Sequence, residues 1–308
     1  MVSEELKRRI SSLVRREGQA SKLPAAPPPR GRGSRPDLAE CFPEGAVLTT
    51  ARGEAFVCEV ALEGIHSDAK RLREKYCATF LTAAQMAEEK VLPPYLQPMA
   101  DADVGAAALI DTETAGLHGR PLFMIGLALY RGGDLTFVQY LARSYAEEAA
   151  ILEEFAGLLP KLDLLISFNG KAFDWPFVRD RMAYHRISCR PSFAHLDLLH
   201  PSRRRWRSQL PNCKLQTLER YLCGRWRTGD IPGDQIPQRY HDFVREQDAR
   251  LVAPILHHNR MDLITMIELL AVLVGSEDGR PTTSSGGPAR AREHVRAAGG
   301  RGVEERSK

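Results

Sequence analysis

The chain has 308 residues, of which 43% are hydrophobic, 27% charged and 7% aromatic, enough for one large domain or two small ones around a sizeable core. No apolar run approaches the ~18 residues that a membrane span needs, and the start Met1-Val2-Ser3-Glu4-Glu5-Leu6-Lys7-Arg8-Arg9 is charged where a secretory signal is apolar, so a cytoplasmic protein with no membrane association is expected. Six scattered cysteines (Cys41, Cys58, Cys77, Cys189, Cys213, Cys223) without a Cys-x-x-Cys pair point away from a zinc ribbon or a disulfide framework.

The net charge of +4 is unevenly distributed. Residues 1–40 carry nine Lys/Arg against five Asp/Glu and residues 279–308 carry seven against three, which leaves 27 against 31 for the middle of the chain. Both basic ends are rich in Pro, Gly or Ser, as in Leu23 to Pro36 (LPAAPPPRGRGSRP). Neither has a periodic apolar face, so disordered tails are expected over 1–40 and 276–308. Within 3–17, Leu6, Ile10, Leu13 and Val14 make a short amphipathic helix pattern. Solvated linkers are the ordinary role of such ends, although basic tails also hold nucleic acid weakly through its phosphates.

Residues 41–100 read as an accessory segment of unassigned role. Ala46 to Leu62 predicts a hairpin, with two β-prone runs flanking a turn at Arg52-Gly53. A helix is expected from Asp68 to Lys90, before Pro93, Pro94 and Pro98 interrupt the chain.

Residues 101–275 carry the clearer pattern. Ala106 to Glu113 predicts a strand, Pro121 to Tyr130 a strand buried on both faces, and Leu135 to Leu141 a third, joined by short turns. Ser144 is placed to cap a helix from Tyr145 to Leu159, with Glu147 at the capping-box position. Leu162 to Phe168 is the fourth strand, Trp175 to His185 a helix and Ala194 to Leu199 the fifth strand. Helices follow over Lys214 to Leu222 and Leu251 to Val274, where Pro254 starts or kinks the last one. Three strands on short turns, then alternating helices and strands, predict an α/β fold: an antiparallel meander extended into a mixed five-stranded sheet by crossover helices.

Four carboxylates stand at positions where this fold exposes ligand sites. Asp111 and Glu113 are two apart at the end of the first of these strands, so both side chains face one way. They follow five apolar residues, which puts them at the mouth of a buried strand, where open α/β sheets bind ligands. Asp174 follows the fourth strand and precedes Trp175-Pro176. Capping that helix is its ordinary role, and metal binding the other. Asp262 lies in an apolar helix, with His258 four residues earlier on the same face and His257 five earlier. A polar stripe on a half-buried helix is the plain alternative. As a set, two strand ends and two helices supply hard oxygen ligands suited to a pair of divalent cations. Such a pair, roughly 3.5–4 Å apart, stabilises both oxygens of an in-line phosphoryl displacement, with a neighbouring histidine to take the proton from water.

Three stretches carry a family resemblance. DTETAGL (Asp111 to Leu117), FNGKAFDWPF (Phe168 to Phe177) and HHNRMD (His257 to Asp262) resemble, in order and spacing, the three motifs of the ribonuclease H-like DEDD 3′–5′ exonucleases. The resemblance covers residues 105–274. It implies that Asp111, Glu113, Asp174 and Asp262 hold two Mg2+ or Mn2+ ions, and that nucleic acid is hydrolysed from a 3′ end. The family's general base is a histidine five residues before the last aspartate or a tyrosine four before it. This sequence has His257 and His258 at those places; His257 matches the histidine spacing, and His258 is better placed on an unbroken helix. Ala115 stands where a second threonine is usual, which touches no expected ligand.

Candidate substrate contacts fall in two places. Thr112, Asn169, Lys171 and Trp175 adjoin the carboxylates in sequence, and Arg203-Arg204-Arg205-Trp206-Arg207 interleaves cations with an aromatic. Of the latter run, Arg204, Arg205 and Trp206 suit phosphate contact with base stacking, or a solvated loop with the tryptophan turned inward. The expected protein is a cytoplasmic, metal-dependent nuclease acting on single-stranded DNA or RNA. The alternatives are a non-catalytic nucleic-acid-binding module of the same fold and a phosphodiesterase of small nucleotides.

Overall fold

The structure, a computed structural model, describes residues 36–116 and 119–275. The expected amphipathic stretch within 3–17, the basic N-terminal segment up to residue 35 and the tail over 276–308 lie outside the described residues.

A hairpin opens the sheet. β1 (Gly45–Thr50) and β2 (Gly53–Ala61) pair antiparallel around Ala51-Arg52, and Gly53 takes φ 121°, a conformation that favours glycine. Helix α1 (Ala69–Glu88) follows, burying Leu72, Tyr76, Phe80 and Ala83 at helical spacing. Three strands come next, β3 (Ala107–Thr114), β4 (Leu122–Arg131) and β5 (Asp134–Leu141). Helix α2 (Glu148–Leu158) leads to β6 (Leu164–Ser167), α3 (Asp174–Tyr184) to β7 (Ala194–Asp197). The described residues end in α4 (Leu199–Trp206), α5 (Ile236–Glu246) and the long α6 (Ala253–Gly275). Pro254 therefore starts the last helix rather than kinking it, as its missing N–H allows.

The strands form one sheet in the order β1-β2-β5-β4-β3-β6-β7. Pairing is antiparallel from β1 through β3, and parallel from β3 through β6 to β7. The mixed sheet predicted from strand and helix order is present, with seven strands among the described residues rather than five. The two extra strands are the accessory hairpin. β2 lies along β5, Phe56 opposite Leu141 and Cys58 opposite Gln139, and so covers a sheet edge that would otherwise carry unpaired backbone groups.

Both faces of the central strands are buried, and β3 shows how they are sorted. Ala108 and Ile110 join a cluster with α2, α3 and α5, including Phe155, Val178 and Tyr240. Ala107 and Leu109 join the opposite cluster with α1 and α6, including Tyr76, Ile264 and Ile267. The period of two is a strand's own geometry. β4 is buried at every position from Leu122 to Leu129, as a central strand covered on two sides must be.

Local departures from the sequence expectation have local causes. Ser144 makes no capping bond; Glu147 instead accepts from the Arg143 N–H at 2.7 Å and from its Nε at 2.8 Å. The helix expected over 214–222 is one α-turn, Leu215–Leu218, followed by a π-helical stretch ending at Gly224. Helices α4 and α5 are additional to the elements expected from the sequence. Glu148, 1% exposed, ties α2 to its neighbours: Oε1 accepts from the Leu122 N–H at 2.7 Å and from Arg181 Nε of α3 at 2.6 Å. No helix among the described residues is long and apolar enough to cross a membrane.

Candidate active site

The site opens where β3 runs out of apolar residues. Ala107 to Ile110 are buried and Asp111 to Thr114 are half-buried. Strand parity turns Asp111 and Glu113 to the side of Leu109, toward α6. There Asn259 donates from Nδ2 to Asp111 Oδ2 at 2.8 Å and to the Asp111 carbonyl at 3.1 Å. Its Oδ1 accepts from Gln139 Nε2 at 2.8 Å, and Gln139 Oε1 accepts from Arg260 Nε at 2.7 Å. Gly126, opposite Asp111 in register, makes room for this amide: a Cβ there would stand 1.9 Å from Asn259 Oδ1.

The turn after β6 delivers the third carboxylate. Asn169 adopts φ 67°, a left-handed conformation that Asn tolerates. Its N–H donates to Asp197 Oδ1 at 2.8 Å, and the Lys171 N–H donates to Asp197 Oδ2 at 3.1 Å. Asp197 thus holds the turn from β7. A Cβ on Gly170 would lie 2.4 Å from Ser167 Oγ and 3.1 Å from Asp174 Oδ2, so the chain passes close under the carboxylate. Asp174 is not the expected cap: Phe173 takes that position, without a side-chain bond. The Asp174 Oδ1 instead accepts from the Thr112 N–H at 3.1 Å and Oγ1 at 2.6 Å, which joins α3 to β3.

Helix α6 brings the fourth carboxylate and a histidine, one turn apart on the same face. His258 Nδ1 lies 2.9 Å from Asp230 Oδ1, and its Nε2 lies 3.6 Å from Asp262 Oδ2. Arg227 braces the group, with Nη1 3.1 Å from Asp230 Oδ2, Nη2 2.5 Å from Asp262 Oδ1 and Nε 2.6 Å from Glu219 Oε2. His258 is 6% exposed, whereas His257 faces solvent. The structure therefore separates the two histidines that the sequence left together.

The four carboxylates share one electrostatic environment. Burial raises the pKa of Asp111 well above the usual carboxylate range, reinforced by Asp262, Glu113 and Asp174. Burial likewise pushes Glu113 up to about 8, opposed by His258 and reinforced by Asp262 and Asp174. Asp174 is pushed up to about 6 by burial, against the Thr112 hydrogen bonds. Burial disfavours the charge on His258, yet Asp230, Asp262 and Glu113 together raise its pKa. Among the described residues no three His, Cys, Asp or Glu side chains converge into a finished metal cage; Asp262 is drawn to Arg227 and Asp174 to Thr112. Asp111, Glu113 and Asp174, raised chiefly by burial, together with Asp262 offer the hard oxygen donors that a divalent cation takes.

The remaining expected contacts divide. Lys171 is exposed, and Trp175 is half-buried, edge-on to Phe193 at 5.1 Å. Thr112 and Asp174 line a cavity of about 550 Å3 with Phe173 and Tyr184. Trp206 corrects the expectation of a stacking platform: it is 3% exposed and packs into the core, because α4 turns it inward while Arg204 faces solvent. Arg205 lies beside the same ring, its Cζ 5.5 Å from the centroid. A second cavity, of about 630 Å3, adjoins Arg227 and Asp230. Asp230, Arg227 and Gln139 were not legible as site residues, being remote in sequence from the motifs. Asn259 was within reach, since it lies inside HHNRMD three residues before Asp262.

The family model RNase_H_2, of the RNase_H superfamily, matches residues 108–274, more than half of the chain. The chain belongs to the RNase H superfamily. Uncharacterized protein YprB of Bacillus subtilis (strain 168) is 37% identical to this RNase H-like chain over 166 residues, which are 52% of the chain and 40% of YprB. Uncharacterized protein MJ0365 of Methanocaldococcus jannaschii is 28% identical over 178 residues, 55% of the chain and 96% of that protein. The chain thus spans about two fifths of YprB and nearly all of MJ0365. Among solved structures, the family B DNA polymerase from the hyperthermophilic archaeon Pyrobaculum calidifontis superposes with a TM-score of 0.44 at 13% identity, over 56% of this chain and 27% of the polymerase. The RNase H-like match begins inside β3, so hairpin β1–β2 precedes it while belonging to the same sheet.

Proposed function

We propose that the chain is a metal-dependent nuclease, a 3′–5′ exonuclease that hydrolyses single-stranded DNA or RNA. The observation that supports this reading is that Asp111 and Glu113 each feel the charges of Asp174 and Asp262, and Glu113 that of His258, although these groups come from three separate stretches of an RNase H-like fold. Asp111, Glu113, Asp174 and Asp262 would hold two Mg2+ or Mn2+ ions. When bound, these cations neutralise the carboxylates, lower the pKa of water and stabilise charge on the phosphodiester.

The chain's own residues have distinct tasks. Asn259 and Thr112 fix the orientations of Asp111 and Asp174. His258 accepts a proton at Nε2, the nitrogen facing Asp262, while Asp230 holds Nδ1 and so sets the tautomer. The cavity beside Thr112 and Asp174, with Phe173 exposed in its wall, offers a 3′-terminal nucleotide an aromatic surface.

The test is hydrolysis of an end-labelled oligonucleotide panel (DNA and RNA, single- and double-stranded, either end blocked) with Mg2+, with Mn2+ and with chelator. Stepwise loss from a free 3′ end, abolished by chelator and by Asp111→Asn in a protein that still melts cooperatively, is the expected result. Binding without cleavage would replace this reading with a non-catalytic module, and cleavage confined to dinucleotides with a small-nucleotide phosphodiesterase.

A further inference from the structure

The exposed arginines of α4 and the cavity beside Asp230 are parts of one continuous surface. The cavity of about 630 Å3 is lined by Arg220, Trp226, Arg227 and Asp230. Asp230 lies 2.9 Å from His258, so the inner wall of this cavity is also the outer wall of the carboxylate site. It also shares Pro211 and Asn212 with a cavity of about 520 Å3 walled by Arg203 and Arg207. Those two arginines continue into a third hollow beside Arg204 and Ser208. The path therefore runs without a break from α4 to the candidate active site.

Its chemistry changes in a useful order. Arg203, Arg204 and Arg207 face solvent, and among the described residues no carboxylate pairs with any of them. They carry positive charge within a stretch of sequence whose overall balance is acidic, 27 basic against 31 acidic residues over 41–278. Next comes Trp226, 46% exposed, with the Arg220 guanidinium 3.5 Å from its ring centroid. A tryptophan left this open contributes little to the core, whereas an indole beside cations is what an unpaired base stacks upon. Near the carboxylates the cations are already engaged: Arg227 contacts Asp230, Asp262 and Glu219, and Arg225 contacts Glu219 and Glu268. Charge for phosphates lies far out, a stacking surface midway, and the reacting groups at the end.

We propose that this path is the track of a single-stranded nucleic acid, with Trp226 as the stacking platform for a base upstream of the scissile nucleotide and Arg203, Arg204 and Arg207 as contacts to the backbone further upstream. The proposal rests on the nuclease reading and adds to it a binding surface outside the three motifs.

The experiment separates the two. Fluorescein-labelled oligonucleotides of two, six and twelve residues are titrated against Asp111→Asn protein, alone and with Trp226→Ala, Trp226→Phe or the triple change Arg203→Ala, Arg204→Ala, Arg207→Ala. Thermal melts check that each variant is folded. Trp226→Ala should weaken the six- and twelve-residue strands roughly tenfold, with Trp226→Phe closer to the parent. The triple variant should weaken mainly the twelve-residue strand and lower its salt slope by about 2. In the parent, a strand carrying 5-iodouracil a few residues from its 3′ end should photocrosslink within residues 203–232, a readout that needs no substitution in the track. Unchanged affinity in both variants, or crosslinks only elsewhere, overturns the track. Should wild-type protein bind along this path yet cleave no strand, the track stands and the nuclease reading falls.

Discussion

Asn259 binds Asp111 twice, through the carboxylate at 2.8 Å and the backbone carbonyl at 3.1 Å, while its own oxygen is held by Gln139. One buried amide thereby sets both the side chain and the backbone position of the carboxylate at the end of β3. Asn259→Ala should cost about 1–3 kcal/mol in urea unfolding, because Gln139 and Asp111 each lose a buried partner. Asn259→Asp places a second negative charge against Asp111 and should reduce both stability and hydrolysis further. A variant of either kind with parental stability would show that the amide does not hold the strand end.

Gly126→Ala tests the same place from β4. Its methyl group would meet Asn259 Oδ1 at 1.9 Å, and buried overpacking of this kind costs about 1–3 kcal/mol. Hydrolysis should fall with it, since the amide must move away from Asp111. Full activity with a lowered melting temperature would uncouple the packing from the site.

The two histidines make opposite predictions. His258→Ala should lower the hydrolytic rate about 10²–10⁴-fold, the usual contribution of a positioned acid or base, and His257→Ala should leave it unchanged. Asp230→Asn, which leaves the imidazole without its carboxylate partner, should give an intermediate loss. A rate that follows His257 instead would reassign the base.

Acidity and divalent cations act on one set of groups. The folded chain raises Glu113 to about 8 and Asp174 to about 6, whereas unfolded carboxyls titrate near ~4. The folded state therefore binds protons that the unfolded chain has released. That stabilisation is complete below the unfolded pKa and is lost as pH rises through the folded values. In chelator, the melting temperature should decline from about pH 5 to about pH 8, with a shallower decline in Glu113→Gln. Mg2+ or Mn2+ should recover most stability at the upper end, where the carboxylates are ionised. A flat profile in chelator would mean that burial does not raise these carboxyls in solution.

Two residues of α4 separate core from surface. Trp206→Ala removes a side chain that is 3% exposed and should cost about 3–5 kcal/mol. Arg204→Ala on the same helix should change stability by no more than about 0.5 kcal/mol. Urea denaturation of both variants measures the difference.

What could be read from the chain followed local periodicity. Four apolar residues from Ala107 and then Asp111-Thr112-Glu113 announce a buried strand with a polar mouth, and the unbroken apolar run of β4 announces a central strand. The pairing of β2 with β5 could not be read, since nothing in Phe56 or Cys58 names Leu141 or Gln139 as a partner 85 or 81 positions away. Trp206 misled because its neighbours are arginines: the run suggests a loop, and only the helical turn of α4 separates the buried ring from the exposed cations. Ile236, Tyr240 and Phe243 carry a helix signal at i, i+4 and i+7, absent from the expected elements. Asp230 had no signal at all. It sits in Gly229-Asp230-Ile231-Pro232, where no period operates, and acquires its place only when that loop crosses α6.

The hairpin has a practical bearing on any attempt to isolate the matched region. A fragment begun at residue 108 would strip β2 from β5, leaving Leu135 to Leu141 as a naked seven-residue edge whose amide and carbonyl groups invite another chain to dock. It would also remove the Cys58 sulfur that lies 2.9 Å from Arg260, the far end of the polar chain reaching Asp111. The limits of sequence similarity are therefore a poor guide to where this protein can be cut, and a clone meant to stay monomeric in the tube should begin ahead of Gly45.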